Sequence, residues 1–284
     1  MFATEIEGME RVEEWLSWLS RRGRTDQTLY TYRSVMRHVM TVLGEAGLPT
    51  DPGSMGVREI YYIADEGGRE SSRKLRVHVL GKFIEWATGH NPGDDAALMW
   101  NHEIADRTFI SPEEFWRLWQ MADERERVIL ALGAFMGLRR SEIVSIRVED
   151  VRGDTLTIYG KGHGTGKRAV LPIPEMVKRT IKEYLAVRPQ TTVDRLIVDT
   201  RYGRPCCMST QKLYDLIKEL GAGTCVEVTP HALRRLFATT LRDRNVDLDD
   251  IRTLMRHERV ETTLDCYIRP NSRRLEGIMT DFTI

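Results

Sequence analysis

Apolar residues recur every three or four positions over residues 5–20, through Ile6, Met9, Val12, Leu16 and Leu19, which predicts an amphipathic helix. RRGRT breaks it, and Thr25 or Asp26 then caps a longer helix over about 26–45. Leu29, Tyr32, Met36, Val39 and Leu43 make its apolar face. GLPTDPGSMG reads as a turn-rich connection, followed by a short helix near 58–65 and another starting at Ser72. These elements predict a helical bundle of about four helices over residues 1–100. Around residues 101–110 the chain is polar and without periodicity, which predicts a linker to a second domain over 111–284. SPEE opens that domain with a helix start: Ser111 caps, Pro112 takes the first position and Glu114 completes a capping box. The helix predicted over 127–136 is apolar on nearly every side and therefore buried; it stops at Gly137, and Ser141 begins another helix, SEIVSIRVED. TLTIYG and RAVLPIP alternate as strands and flank KGHGTGK, a hairpin with a Gly-rich tip. Helices over 175–188 and 209–220, a short strand over 195–199, and helices opened by Pro230 and Asp247 complete the pattern. The fold class expected is mainly α in two domains, the second a mixed α/β domain with a small antiparallel sheet.

Composition narrows the class only a little. A chain of 284 residues has room for two cores, and 41% hydrophobic with 30% charged residues is ordinary for a globular protein. Basic and acidic residues balance at 42 each, so any nucleic-acid binding must come from local patches. Basic residues gather at 21–37 and 69–82, either as solvated faces or as one surface turned toward a phosphate backbone. The longest apolar run, 128–138, is too short to span a bilayer, and the acidic N-terminus lacks a signal-peptide pattern. Cys206, Cys207, Cys225 and Cys266 show no zinc spacing, and the adjacent pair is a poor disulfide. A reducing, cytoplasmic setting is expected, with no membrane partner.

Candidate chemistry concentrates in residues 229–267. His231 and Arg234 stand three apart on a helix whose buried stripe is Leu233, Leu236, Phe237, Thr240 and Leu241, so both are expected to point off that stripe. Ala238 leaves room beside Arg234, and an imidazole near a fixed guanidinium suits an oxyanion or phosphate. His257 and Tyr267 follow within the same span. Arg139 comes directly after the fully apolar helix, where an unpaired guanidinium would be costly; its partner is either Glu142 or a substrate phosphate. The hairpin tip carries Lys161, His163 and Lys167, but it is no Walker loop, because Lys161 stands where the first glycine is needed and Arg168 replaces the Ser/Thr.

Taken in order, GLRRSE at 137–142, GKG at 160–162, HALR at 231–234, RH at 256–257 and Tyr267 resemble the tyrosine recombinases of the phage-integrase and Xer superfamily. The resemblance extends over essentially the whole chain, residues 1–105 being similar to the family's helical core-binding domain. It implies that Arg139 and Arg234 clamp the scissile phosphate and that Glu142 supports Arg139. By the same resemblance Lys161 is the general acid for the leaving 5′ hydroxyl, His231 the general acid/base, His257 a hydrogen-bond donor to the phosphate, and Tyr267 the nucleophile. The implied function is a site-specific DNA recombinase, Xer-like or of a mobile element, acting as a tetramer on double-stranded DNA. It implies neither cofactor nor metal. The short N-terminus is expected to lack an arm-site domain, and the apolar face of the tail at 271–284 suits docking on its own domain or a neighbouring protomer. A type IB topoisomerase-like relaxase and a catalytically silent DNA-binding protein of the same fold are the alternatives. The sequence departs from the family pattern at Arg256, which fills a glycine position, at Arg235, where histidine is common, and in a one-residue longer spacing from His257 to Tyr267.

Overall fold

The computed structural model describes residues 2–100 (backbone only for 2–7), 108–160, 168–200 and 203–256. The chain divides into two compact units, residues 1–105 and 106–284.

The first unit contains α1 (Phe2–Arg21), α2 (Asp26–Glu45), α3 (Val57–Asp65), α4 (Glu70–Thr88) and the short α5 (Pro92–Asp95). Thr25, rather than Asp26, caps α2, its Oγ1 accepting from Thr28 N–H at 3.2 Å. Met36, Val39 and Leu43 of α2 are buried against Val12, Trp15 and Leu16 of α1 and Leu80, Phe83 and Ile84 of α4. Trp15 is the centre of this packing: its ring stacks on Tyr32 and tilts against Phe83, both at 5.5 Å. Asn91 caps α5, accepting from Gly93 N–H at 3.0 Å. Within the basic cluster at 69–82, Arg76 is neither solvated nor turned outward. It is buried and donates to Gly67 O (2.7 Å) and to the Glu66 carboxylate, with the His38 ring 2.7 Å from Nη1. Arg73 likewise spends a donor on Ala64 O at 3.2 Å. Part of the positive charge there holds the bundle together.

The second unit opens with α6 (Pro112–Met121) on the expected capping box, Ser111 Oγ accepting from Glu114 N–H (3.1 Å) and the Glu114 carboxylate from Ser111 N–H (2.7 Å). A second such box, Asp123 with Glu126, starts α7 (Glu124–Ala134) three residues before the helix start predicted at 127. Residues 128–134 of α7 are all buried. The chain leaves α7 through Gly137, held at φ +60°, and enters α8 (Arg140–Ser145). The helix predicted from 141 to 150 is overturned beyond Ser145. Ile146 O accepts from Leu196 N–H (2.8 Å) and Val148 N–H donates to Asp194 O (2.9 Å), so the segment spends its backbone groups on a distant strand-like partner.

Strands β1 (Val151–Arg152), β2 (Thr155–Tyr159) and β3 (Arg168–Pro172) form an antiparallel sheet in the order β1-β2-β3. Pairing runs from Thr155–Pro172 to Tyr159–Arg168. The tip residues 161–167 lie outside the described residues. There follow α9 (Glu175–Val187), β4 (Val198–Asp199), β5 (Cys206–Cys207), α10 (Thr210–Gly223), α11 (Pro230–Asp243) and α12 (Leu248–Met255). β4 and β5 pair antiparallel, which local pattern did not foretell for Cys206 and Cys207. Thr229 and Asp247 cap α11 and α12 through Ala232 N–H (3.1 Å) and Asp249 N–H (2.8 Å).

Two close approaches set the positions of the helix ends. α7 and α11 touch at Gly133, where an added Cβ would lie 3.0 Å from Leu233 Cβ. α11 and α12 meet at Ala238, Ile251 and Met255, all fully buried. The C-terminal ends of α7 and α12 are thereby both brought alongside α11. No helix among the described residues is long and apolar enough to cross a membrane.

Candidate active site

Arg139 stands at the N-cap of α8, with an extended backbone at φ −75° and ψ 151°. Its own N–H donates to Glu142 Oε2 (2.8 Å) and its Nη1 to Glu142 Oε1 (3.0 Å). Arg-x-x-Glu therefore works as a capping arrangement in which the carboxylate fixes both the backbone and the side chain of one arginine. Glu142 is only 3% exposed. A third donor reaches it from the end of α12: Arg256 Nη2 lies 2.7 Å from Oε2. Burial alone would raise the Glu142 pKa, but the charge of Arg256, the Arg139 N–H and the charge of Arg139 outweigh it and hold the group below the ordinary glutamate value.

Arg234 points the other way from expectation. It lies on the buried side of α11, 4% exposed, and its guanidinium donates to Gly137 O and Met255 O. The physical reason lies in the two helix ends beside it. Gly137 lies in the turn after α7 and offers a carbonyl outside any helix, and Met255 closes α12 with a carbonyl that its helix leaves without an intrahelical donor. A guanidinium with several donors satisfies both at once. Arg139 does the same one residue further, Nη2 donating to Arg256 O at 3.3 Å. The two arginines are thus brought together.

His231 sits one turn before Arg234 in the first turn of α11 and keeps an exposed surface. Its pKa is pushed below the ordinary imidazole value, first by desolvation from the atoms crowded round it and then by the charges of Arg235, Arg234, Arg140 and Arg139. Four arginines act on one ring, so the first turn of α11 faces a strongly positive field. Arg235 itself is anchored through Nη1 to Thr108 O (2.9 Å), with its guanidinium 5.7 Å from the Phe109 ring. Lys161, His257 and Tyr267 lie outside the described residues.

Arg256 is the site residue whose part sequence reasoning missed. The signal was its presence at a glycine position. It closes α12 in the left-handed region at φ +54° and ψ 46°, where glycine is at ease, and its side chain folds back onto Glu142. Three guanidiniums and one carboxylate leave this pocket net positive. Such a pocket neutralises charge gathering on an anion's oxygens without any movement of the protein.

Residues 108–274, more than half of the chain, match the model of the phage integrase family. The chain belongs to the phage integrase family. Among relatives of this phage integrase family member, the tyrosine recombinase XerD of Staphylococcus saprophyticus subsp. saprophyticus is 31% identical over 294 residues, covering 95% of this chain and 97% of that one. The tyrosine recombinase XerA of Thermococcus kodakarensis is 28% identical over 260 residues, covering 89% of each. In fold, it resembles a lambda integrase dimer bound to a COC′ core site, with a TM-score of 0.69 at 19% identity over 92% of this chain and 96% of that one.

Proposed function

We propose that this chain is a site-specific DNA recombinase that cleaves and rejoins strands through a 3′-phosphotyrosyl link at Tyr267. The observation that carries the reading is the convergence of Arg139 and Arg234 on neighbouring carbonyls at the end of α12. Membership of the phage integrase family and similarity to Xer tyrosine recombinases support it.

A phosphodiester repels nucleophiles by its charge, and attack adds charge to the non-bridging oxygens. Arg139 and Arg234 supply fixed planar donors for those oxygens. The Tyr267 phenol, with an ordinary pKa of about 10, loses its proton to His231, whose ring desolvation and then the surrounding arginines keep neutral and able to accept. The phenolate oxygen bonds to phosphorus as the P–O5′ bond breaks, and Lys161 protonates the leaving 5′ oxygen. His257 donates to a non-bridging oxygen. Rejoining runs the same steps backward with the 5′ hydroxyl of an incoming strand, so bond energy is conserved and no nucleotide is consumed. In this reading residues 1–100 form a core-binding clamp, residues 111–284 the catalytic domain, and the 271–284 tail joins protomers in a tetramer on DNA. The chain works in the cytoplasm.

The test is covalent trapping on nicked duplex. Sequencing DNA trapped on the wild-type chain supplies the cognate site; on that site Tyr267→Phe should bind as wild type does and trap no adduct. An adduct that persists in Tyr267→Phe, or none from the wild-type chain on any recovered DNA, would overturn the assignment.

A further inference from the structure

Arg256 is at odds with its backbone. It holds φ +54°, a conformation that glycine adopts without strain, yet it carries a long charged side chain into the interior. That side chain is 14% exposed and makes two contacts of different kinds. Nη1 donates to Leu254 O (2.8 Å), tying the last turn of α12, and Nη2 donates to Glu142 Oε2 (2.7 Å), tying that turn to α8. Its own carbonyl is the acceptor for Arg139 Nη2, and the preceding carbonyl, of Met255, accepts from Arg234.

Arg256 therefore touches both phosphate-clamping arginines indirectly. It shares the Glu142 carboxylate with Arg139, each guanidinium taking one oxygen. It also fixes the two backbone carbonyls on which Arg139 and Arg234 rest. Without it, the buried carboxylate would face Arg139 alone, and the pocket would lose one of its three positive charges.

We infer that Arg256 is a positioning residue for strand cleavage, bracketing Glu142 opposite Arg139 so that both Arg139 and Arg234 stay aimed at the phosphate. The inference rests on the recombinase reading above. A glycine here would relieve the backbone but empty the bracket. A lysine would keep a charge near Glu142 without the second donor arm to Leu254 O.

The test measures single-turnover cleavage of the nicked cognate duplex, with protein in excess, beside the Kd from mobility shift and the melting temperature. Arg256→Gln should slow cleavage roughly 10- to 100-fold while Kd stays within about threefold, because the clamp and not the DNA grip is disturbed. Arg256→Gly loses the same pair but relieves the left-handed backbone, so it should melt above Arg256→Gln and yet cleave no faster. Arg256→Lys should recover part of the rate. Cleavage by Arg256→Gly or Arg256→Gln at the wild-type rate overturns the role of Arg256 and leaves the recombinase reading standing. Rates that merely follow melting temperature across the three variants also overturn it, since an anchor for α12 would do no more. A wild-type chain that traps no DNA overturns both.

Discussion

Arg139 and Arg234 rest on consecutive backbone carbonyls: Arg234 donates to Met255 O, and Arg139 donates to Arg256 O at 3.3 Å. One comes from the turn between α7 and α8, the other from α11, and neither carbonyl belongs to either element. The end of α12 thus acts as the jig for the pair. Whatever moves that helix end moves both guanidiniums together.

The first consequence concerns Arg234→Lys. An ammonium keeps the charge but cannot bridge Gly137 O and Met255 O as a planar guanidinium does. Cleavage of the trapped site is expected to fall about 100- to 1000-fold, the loss typical of one fixed donor to a developing oxyanion. Mobility shift should show DNA binding nearly intact. A lysine variant that cleaves at the wild-type rate would show that bridging is irrelevant.

Gly137→Ala should be among the most damaging small substitutions. Gly137 holds φ +60°, and an added Cβ would lie 2.5 Å from Phe237 Cδ1. The left-handed backbone and the overpacking together predict a loss of about 2–5 kcal/mol in denaturant unfolding. Because Gly137 O also receives Arg234, cleavage below the melting range should fall as well.

Helix starts were legible along the chain because a cap is a contact over two or three residues. Ser111 with Glu114, Thr229 before Pro230 and Asp247 all announce themselves locally. What periodicity could not show was any direction set by a distant partner. Arg234 turns inward because Gly137 and Met255 leave carbonyls there, 97 and 21 residues away. The helix after Ser141 ends early because residues 194–196 compete for its backbone. Arg256 was visible as a departure, but its role depends on a carboxylate 114 residues away. Lys161, His257 and Tyr267 are assigned by motif and order.

His231 offers a titration that reads the field of the site. Desolvation and then Arg235, Arg234, Arg140 and Arg139 lower its pKa, so the ring-proton NMR midpoint should fall below the ordinary value of about 6.5. Arg235→Gln should move that midpoint upward. The linkage has a definite sign. The unfolded chain binds this proton more readily, so stability is lost as pH falls below about 6.5 toward the folded pKa, and His231→Gln should remove that part of the dependence. An unchanged midpoint in Arg235→Gln would mean that the four charges do not act on the ring as the geometry requires.

Glu142 has the same sign, in a lower pH window, and the larger structural stake. It is 3% exposed and accepts from Arg139 N–H, Arg139 Nη1 and Arg256 Nη2. Removing the carboxylate leaves two guanidiniums facing each other in a buried place, so Glu142→Ala should cost about 3–5 kcal/mol in denaturant unfolding. Its folded pKa is depressed: burial opposes ionisation, and the charges and donors of Arg256 and Arg139 more than reverse that. The stability it contributes is therefore present in full above the unfolded value of about 4.3 and is lost as pH falls from there through the lower folded pKa. A plot of unfolding free energy against pH should steepen below that point in the wild-type chain and be flatter in Glu142→Gln. Identical slopes in the two would show that Glu142 is not held ionised by the arginines, and the bracket that positions Arg139 would have no charge at its centre.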